Sequence, residues 1–172
     1  DPERLRYRDK TYSLMRSNDS WPNFTRTKWQ IPTKITEDVT ELTFDVADDV
    51  SAAGDLVRSC RLILHIDNMS VVDELEVTLN GSVVPLVNRL QPGTRIGTIS
   101  QWQIYDLLDH RPLSGTNTVT VHALRLNQRT APELPMTIED AEIEVRYEHP
   151  TGDVANGPGG RARLSHLALA GR

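Results

Sequence analysis

The side chains able to do chemistry are numerous but scattered. Five histidines (His65, His110, His122, His149 and His166) fall in different segments. None stands at the H-x-H or H-E-x-x-H spacing that brings two imidazoles onto one metal ion. Of the 24 acidic residues, Glu74, Glu76, Glu142 and Glu144 alternate with apolar positions, which sets them on a solvated strand face rather than in a paired-carboxylate catalytic site. Cys60 is the single cysteine, so neither an internal disulfide nor a zinc site built on paired thiolates is available. It opens an apolar run and reads as a small buried hydrophobe. No G-x-S-x-G elbow, Walker loop or dinucleotide glycine pattern occurs, and the chain reads as non-catalytic.

Two groupings rise above this background. Asp45, Asp48, Asp49 and Asp55 crowd a strand-end loop, where carboxylates repel one another and where a hard cation such as Ca²⁺ finds oxygen ligands. The first reading is a plain solvated acidic loop with no cofactor, and the alternative is a structural calcium that orders the loop. The spacing is not that of an EF-hand. The second grouping is aromatic: Trp21, Trp29, Trp102 and Tyr105 stand out in a chain with only three Trp, four Tyr and two Phe. Flat rings cover the C–H face of a pyranose while neighbouring polar groups bond its hydroxyls. These four are the candidate sugar-binding residues, the alternative being that they fill a core.

The elements that must carry these residues are strands. Leu42, Phe44 and Val46 alternate with Thr43 and Asp45. Leu62, Leu64 and Ile66 share one face of the run Cys60 to Asp67, and Ile143, Val145 and Tyr147 share one face of a final strand from about Met136. Asn117 to Leu124 is rich in β-branched residues. The runs Glu74–Leu79 and Ser82–Leu86 flank Asn80-Gly81, a pair that supplies the two positive φ angles of a type I′ hairpin turn. Pro85 ends the returning strand early or puts it at an edge. In the segment Ile96 to Tyr105 the apolar residues Ile96, Ile99, Trp102, Ile104 and Tyr105 mark one or two further strands, and Trp102, flanked by alternating polar residues, reads first as a core residue with sugar binding as the alternative. Before residue 17, Leu5, Tyr12, Leu14 and Met15 among charges suit a short helix or an extended lead-in. The pattern is an all-β fold, an antiparallel jelly-roll sandwich over residues 39–149, with a lead-in over 1–38 that packs on it and a Gly/Pro-rich linker and tail over 150–172.

The bulk numbers agree with one such domain. There are 172 residues, 38% of them hydrophobic, with a net charge of −5. An acidic balance disfavours a phosphate backbone as partner, and no apolar run is long enough for a membrane span. The opening Asp1-Pro2-Glu3 suggests a piece of a larger protein. Sequons at Asn18, Asn23, Asn68 and Asn80 permit N-glycosylation in a secretory setting.

Three stretches carry a resemblance: Cys60 to Asp67, Val72 to Gly81 with its Leu79-Asn80-Gly81 turn, and Leu113-Ser114-Gly115-Thr116-Asn117-Thr118-Val119-Thr120-Val121. Together they resemble galactose-binding-like jelly-roll domains, in which an L-x-V-x-L-N-G hairpin precedes an L-x-x-G-x-N-x-V-x-V strand entry. Here Leu113 and Gly115 stand one residue closer than in that pattern. The resemblance implies a non-catalytic carbohydrate-binding or accessory module of a glycoside hydrolase-type protein. The alternative is a structural sandwich that packs on a TIM-barrel-like catalytic domain and binds no sugar. It also implies a secreted or periplasmic setting if the parent degrades polysaccharide.

Overall fold

The computed structural model describes residues 7–14, 30–70, 72–90, 99–126 and 135–148. Ten strands and one 3₁₀ turn, Gly54–Leu56, make up its regular structure: β1 Lys10–Ser13, β2 Thr33–Lys34, β3 Thr40–Val46, β4 Val57–Met69, β5 Glu74–Leu79, β6 Ser82–Val83, β7 Leu86–Leu90, β8 Ile99–Asp106, β9 Gly115–Arg125 and β10 Thr137–Tyr147. All pairings are antiparallel. One sheet has the order β1-β10-β4-β8-β7, with β2 also on β10, and the other has the order β3-β9-β5-β6. The chain passes back and forth between the sheets in the manner of a jelly roll. Among the described residues no helix is long and apolar enough to cross a membrane.

Alternation builds the core. Leu42, Phe44 and Val46 from β3, Leu62, Leu64 and Ile66 from β4, Val119 and Val121 from β9, and Ile143, Val145 and Tyr147 from β10 are all at most 2% exposed. At three places the inward residues are three apart rather than two: Val57 to Cys60, Ile66 to Met69, and Ile138 to Ala141. Strict alternation would turn one of each pair to solvent. The ladders shift register at each of these places. The extra residue of a β-bulge restores the inward face, and Asn68, at φ 58, occupies one of the bulges.

The hairpin forms as its sequence predicts, with Asn80 at φ 49 and Gly81 at φ 86. Beyond it Val84 still donates to the Val77 carbonyl, while the Pro85 carbonyl accepts from Asp106 N. Pro85, without an N–H, is therefore where the chain leaves one sheet for the other.

The hairpin is bolted to β9 through side chains. Asn117, fully buried, accepts from Leu113 N at 2.7 Å and from Asn80 Nδ2 at 2.8 Å, and donates to the carbonyls of Leu113 at 2.8 Å and Gly115 at 3.0 Å. Asn80 Oδ1 in turn accepts from Thr118 N at 2.9 Å. All the ordinary hydrogen-bonding capacity of the Asn117 amide is used, as a buried amide requires.

The lead-in is more than a cover. Of the short helix or extended lead-in that the sequence allows, residues 10–13 take the extended form, as β1 on the edge of β10, because Tyr12 and Leu14 alternate with polar neighbours and an open edge is there to pair with. Asp48, 9% exposed, ties this strand down: it accepts from Lys10 Nζ and, at 2.8 Å, from the Tyr147 hydroxyl. Gln30 serves the opposite sheet, its amide accepting from Thr43 N at 2.6 Å and donating to the Thr43 carbonyl at 2.9 Å, which closes part of the β3 edge.

Two outcomes are expected. Asn80→Ala and Asn117→Ala each destabilise the fold by about 1–3 kcal/mol, and a double-mutant cycle in urea gives a coupling of at least about 0.5 kcal/mol because they share a bond. The Cys60 thiol, whose pKa burial pushes up to about 12 against a lowering by the Arg111 charge, stays inert to a chromogenic disulfide at pH 8 and reacts once the chain is unfolded.

Candidate functional site

The outer face of the β1-β10-β4-β8-β7 sheet carries the densest chemistry. Strand pairing sets Asp140 of β10 beside His65 of β4, and His65 beside Trp102 of β8. The imidazole and indole rings stack with centroids 4.3 Å apart and planes 10° from parallel. His65 Nε2 lies 2.6 Å from Ser100 Oγ, and Nδ1 lies 3.7 Å from Asp140 Oδ2. That Nδ1 is closed off from solvent and has no hydrogen-bond partner. Leu90 of β7, 49% exposed, pairs with Trp102 on the far side.

Further along the same face, Glu144 accepts from Arg61 Nη2 at 2.7 Å and sits 3.1 Å from Arg146 Nε. Burial by itself would raise the Glu144 carboxyl, but the hydrogen bond and charge of Arg61, with Arg146 adding, hold it below the ordinary carboxylate range.

Trp102 stands on this outer face, not in the core position expected for it. The reason is phase: Tyr105 and Leu107, at 2% and 0% exposed, point inward, so Gln101 and Gln103 point inward with them. The two glutamines are satisfied within the core. Gln103 Nε2 donates to Gln101 Oε1 at 2.9 Å and meets Met69 Sδ at 3.2 Å, and the Tyr105 hydroxyl donates to Gln103 Oε1. Tyr105 is thus a core residue, its hydroxyl pKa raised by burial, and presents no ring face to a ligand. Trp21 and Trp29 lie outside the described residues.

The four aspartates are not gathered around one point. Asp45 Oδ1 accepts from Thr116 Oγ1 at 2.9 Å, Asp48 is held by Lys10 and Tyr147, and Asp49 Oδ1 accepts from Ala52 N at 3.0 Å, capping its own turn. Asp55 is exposed in the 3₁₀ turn. Among the described residues no three His, Cys, Asp or Glu side chains group in a way that could hold a metal ion. The Lys10 ammonium supplies Asp48 with a positive charge from within the chain.

Ser100, His65 and Asp140 come from three neighbouring strands, and sequence reasoning did not single them out. The alternation that turns His65 outward is legible, but the register that lines it up with the other two is not. The chain matches no family model, and no curated protein is detectably similar to it.

Glu144 yields a pH test. Its pKa is lowered in the fold, so its contribution to stability is present at neutral pH and lost as pH falls through the carboxylate range. Urea midpoints at pH 7 and pH 3 should show Glu144→Gln losing up to about 1 kcal/mol less between the two than the unaltered chain does.

Proposed function

We propose that this sandwich is a carbohydrate-binding accessory module of a larger carbohydrate-active enzyme, with Trp102 as the platform against which a sugar ring lies. The observation that carries the reading is the placement of Trp102: a partly exposed indole on an outer sheet face, its plane fixed by the stack on His65. A ring already held in one rotamer loses little entropy when a ligand covers it, and an apolar plane amid hydroxyl and carboxylate groups suits the two faces of a pyranose. Ser100, Asp140 and the exposed Asn88 amide supply polar groups on the same face. The motifs that resemble galactose-binding-like domains support the same class.

A second reading has its own observation. Edge strand β7 leaves Val87 and Leu90 at 56% and 49% exposed, the kind of apolar edge that an adjoining domain covers. On this reading the module orients a catalytic neighbour and binds no sugar.

A glycan array separates the two. Binding is expected from the unaltered chain, with a loss of about 5- to 150-fold for Trp102→Ala, since a stacking ring contributes of order 1–3 kcal/mol; Trp21→Ala and Trp29→Ala run beside it. Silence across the array, or binding untouched by Trp102→Ala, removes the sheet-face site.

A further inference from the structure

We propose that Ser100 is an activated nucleophile, a hydroxyl whose proton His65 draws off and which accepts an acyl group from an ester. This goes beyond binding, and a buried ring nitrogen is what points to it. His65 Nδ1 is shut off from solvent, makes no hydrogen bond, and faces the Asp140 carboxylate at 3.7 Å. Two acceptors facing one another across that gap would repel, so the proton of a neutral imidazole belongs on Nδ1, toward the carboxylate. Nε2 then presents its lone pair, and its partner at 2.6 Å is Ser100 Oγ. The serine hydroxyl therefore donates to the histidine, the polarity a general base requires. Trp102, stacked on the imidazole within 10° of parallel, fixes the ring plane and covers one side of it. Nucleophile, base and orienting carboxylate stand on β8, β4 and β10, held in line by strand pairing.

The step balances without any oxidant or reductant. Ser100 Oγ attacks the ester carbonyl carbon as its proton passes to Nε2. The ester C–O bond breaks, the departing oxygen takes that proton, and the acyl group remains on Oγ with the alcohol released. Water can later remove the acyl group by the same route, leaving a free acid. Ser100 lies on a strand rather than at a helix N-terminus or tight turn where backbone N–H groups converge on an oxyanion, a contribution of roughly 10²–10³ per donor in dedicated enzymes. The acceleration is thus that of a positioned base, about 10²–10⁴-fold. An ester with a good leaving group acylates faster than water deacylates, so the acyl-serine accumulates. An acylated sugar lying on Trp102 would bring its ester to Ser100; that extension alone rests on the function proposed above.

The test uses p-nitrophenyl acetate and the whole chain, with no sugar present, so its result is independent of the glycan array. Intact mass and peptide mapping should show one acetyl group, on Ser100. Ser100→Ala abolishes that acetylation, His65→Gln slows it at least about 100-fold, and Asp140→Asn slows it by a smaller factor. Thermal unfolding of His65→Gln and Asp140→Asn confirms that the fold is retained, and Thr137→Ala, on the same sheet but outside the three, reacts at the unaltered rate. Acetylation confined to lysines, or Ser100 reacting equally fast in His65→Gln, overturns the proposal and leaves the three residues as a purely structural cross-strand contact.

Discussion

The buried amide of Asn117 is the contact on which the sandwich turns. It ties the loop at Leu113 to Gly115 and the start of β9 to the Asn80-Gly81 turn, adding a side-chain joint at the end of the β5–β9 ladder. A buried amide with its partners in place contributes modestly, but one left unpaired costs the full penalty of its lost hydration. Chain geometries that fail to bring these segments together are therefore disfavoured by more than the bonds themselves are worth. This gives a physical content to the two sequence motifs: the L-N-G turn and the L-x-G-x-N strand entry are the two halves of one hydrogen-bonded joint.

The second constraint is parity. A sandwich has one core, so every strand must keep its apolar set on one side, and the long strands β4 and β10 do this only by inserting bulges. The bulge near Glu139 has a consequence on the other face: it sets Asp140 outward, beside His65, while Ala141 turns in. A device that serves packing thereby assembles the row of polar side chains across the outer sheet. The same accounting on β8 puts two glutamines in the core and the tryptophan outside. That inversion is tolerated because Gln101, Gln103, Tyr105 and Met69 satisfy one another.

Charge follows the same logic at the N-terminal edge. Asp48 is one of four neighbouring aspartates in the sequence, yet the fold separates it from the others by giving it Lys10 and the Tyr147 hydroxyl as partners. A carboxylate so far buried needs a counter-charge, and the counter-charge arrives on β1, a strand distant in sequence. The acidic loop and the basic lead-in are thus two sides of one contact.

The sequence by itself determined the class of fold, the strands around Leu62 to Ile66, Leu42 to Val46 and Ile143 to Tyr147, and the hairpin at Asn80-Gly81, because these rest on alternation and on local turn chemistry. It also carried the break at Pro85, which follows from a missing N–H. What only the tertiary structure decided was every feature that depends on register between distant segments. Residues 10–13 form a strand rather than a helix because the edge of β10 is there to pair with. Trp102 faces out because Tyr105 and Leu107 claim the inward phase, a choice that the alternation of Gln and Trp leaves ambiguous. Ser100, His65 and Asp140 meet because three ladders bring them level, and a ladder is a property of two strands, which one strand's sequence does not contain.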